Sequence, residues 1–392
     1  MSLAASAAVA AVGWALLHYA PVESERAIDV YPGGDIQKAL DETARQGGRL
    51  VRVHAGTYRP SRPADALVHF YARHDGIVVE AVGRVTLTAA NPGVADRHAP
   101  SYPAIVSHVV YFGDHISRKT VLRGFRIEGA NGYVRGPPGL RPIEAAKDLE
   151  RADHYLTQDK SADEGGENLP RTHYYFTDGG GILVYGRSFP TIEDVEIADN
   201  YSAVCGAGLS VQHHLVDGFQ DSVLCRHCVF RNNRTGVSGS ATDLLSAGSF
   251  AVFENCLFVR NVSNVRIDVN RRSGYGALTV FPRCRAIVRR CTFTENNAGV
   301  DDRGSGSSYT DCIFWNNRRP GGVNTRPRFE LDITDAAGVR GCFIHGQVND
   351  LRDNVSVAVN TFDPPDPAFD GEFRPKNPRY AEVGYRPVQD HQ

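Results

Sequence analysis

The sequence is poor in several things at once. It holds one methionine and two tryptophans, and only five of its 43 basic residues are lysine, the rest being arginine. That arginine excess reads as codon bias and says nothing about activity. The formal net charge is −2, so there is no basic field of the kind that holds nucleic acid. With 42% hydrophobic and 22% charged residues, the chain is neither intrinsically disordered nor a long coiled coil. Only one segment is apolar enough to span a bilayer, which excludes a polytopic membrane protein. At 392 residues the length suits two or three ordinary domains or one long repeat array.

The apolar segment stands first. No charged side chain occurs from Met1 to Val22, and Leu3 to Leu17 is almost wholly apolar. With its flanks the run reaches about 20 residues, enough for a helix to cross a membrane. A secretory signal would carry Lys or Arg ahead of the apolar run, and none is present. His18 also sits where a cleavage site after Ala20 wants a small residue, while Trp14, His18 and Tyr19 suit an interfacial belt. An uncleaved anchor over 1–22 is therefore expected; a signal peptide and a soluble helix are the alternatives. Glu23, Glu25 and Arg26 leave its orientation open.

The body of the chain repeats. Val195-Glu-Ile-Ala-Asp-Asn200, Cys228-Val-Phe-Arg-Asn-Asn233, Cys256-Leu-Phe-Val-Arg-Asn261, Cys291-Thr-Phe-Thr-Glu-Asn296 and Cys312-Ile-Phe-Trp-Asn-Asn317 share one pattern, and Gly341 to Gly346 is a degenerate copy. Successive spacings are 33, 28, 35, 21 and 29 residues. An irregular period with strict local alternation fits a solenoid whose coils keep their strands and vary their loops. Alternation predicts short strands with Cys and Phe on one face. Stacked about 4.8 Å apart, these copies form an apolar column and a ladder of asparagine amides that satisfy one another at a turn. The fold class is all-β, a parallel β-helix.

Further motifs carry a resemblance. Ile28 to Leu40 followed by Val51-Arg-Val-His-Ala-Gly-Thr-Tyr-Arg59, the coil-like Gly179-Gly-Gly-Ile-Leu-Val184 and Ser188-Phe-Pro-Thr-Ile192, and the close at Asp366-Pro-Ala-Phe369 through Phe373-Arg-Pro375 are similar to bacterial right-handed parallel β-helix repeat proteins of the pectate-lyase-like superfamily. The resemblance spans roughly residues 28 to 385. It implies a strand and capping helix over 23–60, a β-helix over 61–346 and a Pro-rich closing segment over 347–392, whose tail from Pro364 is expected to pack as irregular chain over the open last coil. Ile36, Ala39, Leu40, Thr43 and Ala44 fall on one helical face suited to covering the open end of the first coil. The repeat is lost over 132–178, where Arg141 to Leu156 reads as a helix; such an excursion is a tolerated insertion, a partner-binding arm or a lid.

Four cysteines occupy the same inward slot, which predicts a column of free thiols rather than disulfides. Cys225-Arg-His-Cys228 has half the spacing of a zinc site with no second half, so no metal is expected there. His213-His214 is expected in a solvated loop. Taking Val265 and Val300 as inward, alternation points Arg266, Asp268, Asp301 and Arg303 to the outside, with Ser240 and Gln212 on preceding coils. Asp268 and Asp301 then lie about 5–10 Å apart, a separation at which two carboxylates can share acid and base work. By the resemblance, lyases of the superfamily abstract a proton beside a uronate carboxylate, with Arg near the site and Ca²⁺ held by Asp in some. Arg266, Arg271, Arg272 and Arg303 would neutralise such an acidic polysaccharide, and Ser240 and Gln212 would bind it. The Asn-Thr-Asp, Gly-His-Gly and Arg-Ile-Lys set of polygalacturonases is missing, and alternating Asp and Arg also make plain ion-pair ladders. The sequence thus favours a membrane-anchored, extracytoplasmic binding or scaffold protein without cofactor, with protein partners at the 132–178 insertion. A polysaccharide lyase or hydrolase acting on uronate-containing glycans, with Ca²⁺ if a lyase, is the alternative; secretion is the alternative to anchoring.

Overall fold

The computed structural model describes residues 27–135, 173–215, 217–265, 276–319, 329–346 and 355–387. Strands stack coil upon coil in parallel register into a 17-stranded sheet, an 8-stranded sheet and a two-stranded one. This is a right-handed parallel β-helix, the hand that right-twisted strands impose on parallel crossovers. The expected anchor over 1–22 and most of the insertion (136–172) lie outside the described residues. Among those described, no helix is long and apolar enough to cross a membrane.

One coil shows how the sequence bends. Val223–Arg226 and Val229–Arg231 are short strands separated by His227 at φ 54°, and Asn232 at φ 55° turns the chain into Asn233. The same two left-handed corners recur at Asp194, Asn255, Arg290 and Asp311, and at Asp199, Arg260, Glu295 and Asn316. Left-handed backbone costs a non-glycine residue about 1–2 kcal/mol, and it persists where the surroundings over-determine it. Here the asparagine ladder does so. The side chain of Asn233 donates to Asn261 Oδ1 at 3.1 Å, Asn261 to Asn296 at 2.9 Å and Asn296 to Asn317 at 2.7 Å, while each next Oδ1 also accepts the preceding backbone N–H. Asn200 begins the series. Glu330 ends it, receiving the N–H and the amide of Asn317.

Inside, Phe230, Phe258, Phe293 and Phe314 stack with centroids 4.8, 4.2 and 5.1 Å apart. Cys228, Cys256, Cys291, Cys312 and Cys342 form the adjoining column of buried free thiols. Outside, one flank of the long sheet carries Arg52, Glu80, Arg123, Glu193, Arg226, Glu254 and Arg289 in register, each paired with the next at 3.0–3.8 Å. The long ion-pair ladder lies on this flank, and a shorter one joins Asp301, Arg303 and Asp332 on the other sheet.

The two ends differ from each other. The helix Ile36–Arg45, capped by Asp35, lays Ile36, Ala39, Leu40 and Thr43 against the first coil, as its pattern predicts. Residues 355–363 lie on the last coil, where Thr361–Phe362 pairs with Phe343–His345, but the tail from Pro364 does not stay there. It runs back along the flank: Tyr380 packs on Ile313, Phe373 and Tyr385 on Leu257 and Val259, and Arg386 N donates to Asn255 Oδ1 at 2.7 Å. Its apolar residues cover there the outer side chains of Leu257, Val259 and Ile313.

Candidate functional site

The 8-stranded sheet is built of Ala64–Phe70, Val106–Phe112, Ile182–Tyr185, Leu209–Gln212, Thr242–Leu244, Leu278–Val280, Val300–Asp302 and Leu331–Ile333. Flanking residues such as Leu209, Leu278, Val300 and Leu331 join the core, so the residue between them points away from it. Parallel register aligns these into one outer column: Tyr111, Leu183, Ser210, Asp243, Thr279, Asp301, Asp332. At its N-terminal end the short helix His173–Thr177 covers the column, Tyr175 and Phe176 packing with Tyr111, Leu183 and Tyr185.

The column departs from the expected site in two ways. Asp301, Ser240 and Gln212 were expected on a solvated outer face, and all three are fully buried. Asp301 pairs with Arg303 Nε at 3.1 Å, and Arg303 reaches Asp332 Oδ2 at 2.6 Å. Gln212 donates to Ser210 Oγ, and Ser240 accepts from Ser263 Oγ. The expected neighbour also changes. The strand beside Asp301 is Leu278–Val280, which sets Thr279 opposite it. The chain from ladder asparagine to outer strand is of unequal length, running from Asn233 to Asp243, from Asn261 to Thr279 and from Asn296 to Asp301, so a fixed offset misaligns the coils. Arg266, Asp268, Arg271 and Arg272 lie outside the described residues.

His213-His214 is not a solvated loop. His213 is buried with Nε2 2.8 Å from Ser188 O, and burial pushes both imidazoles down to about 4. Cys225 and Cys228 both turn into the core, whereas His227 turns out towards Asp194 at 3.2 Å.

The structure brings together a set that the sequence reading did not align. Asp178-Gly-Gly-Gly, Cys205-Gly-Ala-Gly and Ser238-Gly-Ser-Ala occupy equivalent turns on three successive coils. Gly179, Gly206 and Gly239 are all left-handed there, at φ 72°, 57° and 62°. A Cβ on Gly206 would collide with Asp243 Oδ1, so glycine is what lets the carboxylate approach the turn. The ligand atoms of Asp178, Cys205 and Asp243 all lie within 4.8 Å of one another. Cys205 N and Thr177 Oγ1 both donate to Asp178 Oδ1, at 3.0 and 3.1 Å. Cys205 Sγ stands 3.0 Å from Ser238 Oγ. Asp178 Oδ2 is buried without a hydrogen-bond partner, and neither oxygen of buried Asp243 has a well-formed one, the Ser210 hydroxyl being the group beside it. Burial, then the neighbouring Asp243, pushes Asp178 well above the usual carboxylate range, and burial pushes Asp243 up to about 8 and the Cys205 thiol up as well. The recurring Gly-small-small tripeptide was the available signal, since it fixes the register of these turns independently of the asparagines.

No family model matches the chain, and no curated protein does. Among solved structures it is similar to Escherichia coli YbhC at 14% identity and a TM-score of 0.35, covering 92% of this chain and 88% of that one. It is also similar to a polygalacturonase from Erwinia carotovora ssp. carotovora at 12% identity and a TM-score of 0.30, covering 79% and 87%.

Proposed function

We propose that the chain is a non-catalytic binding or scaffold β-helix that works outside the cytoplasm, tethered through residues 1–22 and engaging a protein partner through the 132–178 insertion. One observation carries this reading. The outer column where acid and base residues were expected is closed by its own charges. Arg303 bridges Asp301 and Asp332, so of the expected site residues that are described, the Arg303 guanidinium and the Asp301 carboxylate are engaged with each other and with Asp332 rather than held out to a uronate or a glycosidic bond. The root of the insertion supports it too, because Tyr175 and Phe176 fasten that root to the outer column and so give an arm a fixed point of departure.

One feature favours the alternative, a hydrolase or lyase acting on an acidic glycan. Asp178 and Asp243 are perturbed in the manner of groups that move protons. Incubation of the purified chain with pectate, alginate and chondroitin separates the two readings. We expect no unsaturated uronate and no new reducing ends, and we expect deletion of 132–178 to release the chain from the complex it co-purifies with. Turnover of any of these polymers that is lost on Asp301→Asn or Asp243→Asn overturns the scaffold reading.

A further inference from the structure

We infer that Asp178, Cys205 and Asp243 form a binding site for one divalent transition-metal ion, with Zn²⁺ the best match to the donor set. The site is independent of whether the chain is catalytic.

The donors come from three consecutive coils, so the rigid stack sets their separation and no loop has to fold around an ion. A thiolate and two carboxylates within 4.8 Å of one another are close to what tetrahedral Zn²⁺ asks. Zn–S of about 2.3 Å and Zn–O of about 2.0–2.2 Å place neighbouring ligands roughly 3.3–3.7 Å apart. Small rotations about the Cys and Asp side-chain torsions cover the difference. The sulfur argues against Ca²⁺ and Mg²⁺, which want six or more oxygens or near-ideal octahedra.

A cluster of acids would not suffice by itself. What points to a ligand is that Asp178 Oδ2 is fully buried with no hydrogen-bond partner, and that both oxygens of the fully buried Asp243 lack a well-formed one, with only the Ser210 hydroxyl near them. Leaving buried polar atoms unmet costs about 1–3 kcal/mol for each neutral group and more for a charge. Neither Asp178 nor Asp243 has a salt bridge among the described residues, in contrast to Asp301 and Asp332 on the same face. A divalent cation supplies the positive charge missing there and gives one oxygen of each aspartate a partner. The second shell is in place. Cys205 N and Thr177 Oγ1 hold Asp178 Oδ1, which turns Oδ2 free, and Ser238 Oγ lies beside the sulfur. Three protein ligands leave one coordination position for a solvent or substrate atom.

The test uses the full chain, stripped with a chelator, dialysed and titrated with Zn²⁺ against a chromophoric competitor. The partly exposed Glu193, Asp194 and His227 also lie close enough to take a metal, so each titration is repeated on His227→Ala. We expect one equivalent of tight Zn²⁺ in the wild type and in His227→Ala. Asp243→Asn should weaken it by more than the ~10–100-fold that second-shell losses cost. With Co²⁺ as the probe, a thiolate-to-cobalt charge-transfer band should appear in the wild type and vanish in Cys205→Ala, in which the other seven cysteines remain. Zn²⁺ should raise the melting temperature of the wild type and leave that of Cys205→Ala unmoved, a readout that stands if Asp243→Asn fails to fold. Absence of a tight equivalent, its survival in Asp178→Asn/Asp243→Asn, or a cobalt complex without the thiolate band overturns the inference.

Discussion

Replacing Asn296 tests whether the amide ladder, rather than the packing of its methylene groups, holds the corners of the coils. Asn296 takes part in four buried hydrogen bonds through its side chain. Nδ2 donates to Asn317 Oδ1 at 2.7 Å and to Phe258 O at 2.9 Å, while Oδ1 accepts Asn261 N and Asn261 Nδ2, both at 2.9 Å. At about 0.5–1.5 kcal/mol net for each bond, Asn296→Ala should cost about 2–6 kcal/mol, well beyond a typical substitution. The isostere separates the two causes. Asn296→Asp keeps the volume but turns two donors into acceptors that face Asn317 Oδ1 and the Phe258 carbonyl, and it brings an unpaired charge inside. It should therefore destabilise about as much as alanine does. Urea denaturation followed by far-UV circular dichroism gives the change in midpoint at constant m. If Asn296→Asp lost less than about 1 kcal/mol while Asn296→Ala lost several, the ladder would be filler and the argument for the corners would fail.

Glu330, the terminal rung, gives a pH signature. Burial raises its carboxyl to about 7 from an ordinary 4.5. The unfolded chain therefore releases this proton first, so the contribution to stability is whole below pH about 4.5 and is lost as pH rises through about 7. At about 1.4 kcal/mol per unit the loss is on the order of 3 kcal/mol. A wild type that fell no faster than Glu330→Gln between those pH values would refute this. Asp301→Asn should cost about 1–3 kcal/mol, less than a fully buried pair because Arg303 keeps Asp332; an unchanged melting temperature would return Asp301 to the role of a solvated surface group. All eight cysteines are buried and free, so a thiol reagent should find none in the native protein and eight after denaturation without reductant. Fewer than eight would mean disulfides.

The parts of the fold that were legible are those encoded within one coil. Cys-x-Phe-x-x-Asn carries its strand, its corner and its inward face in six residues, and the hydrogen bonds join the same asparagines that the alignment joins. The neighbour of Asp301 in its sheet, Thr279, was not legible because it depends on the length of chain between ladder and outer strand, which no local pattern fixes; Asp268 lies outside the described residues. Burial of Asp301, Ser240 and Gln212 was illegible for a related reason. Alternation tells which way a side chain points from its sheet, not what else lies against that side. The Asp178, Cys205 and Ser238 turns could have been aligned through Gly179, Gly206 and Gly239, but Asp243 joins them from within a strand, and only coil stacking brings it there.

The returning closing segment changes how this molecule comes into being. In a solenoid each coil touches only its neighbours, so stability builds up locally and assembly can start anywhere. Here Arg386 bonds to Asn255 and Tyr385 N to Thr292 Oγ1, contacts between residues far apart in the chain. A ribosome making this protein exposes Leu257, Val259 and Ile313 well before the residues that cover them emerge. The nascent stack must therefore wait, greasy along one flank, until its last stretch is free to fold back. Once closed, that stretch binds several coils to a common fate, so a repeat array that could fray rung by rung should instead open there as one unit.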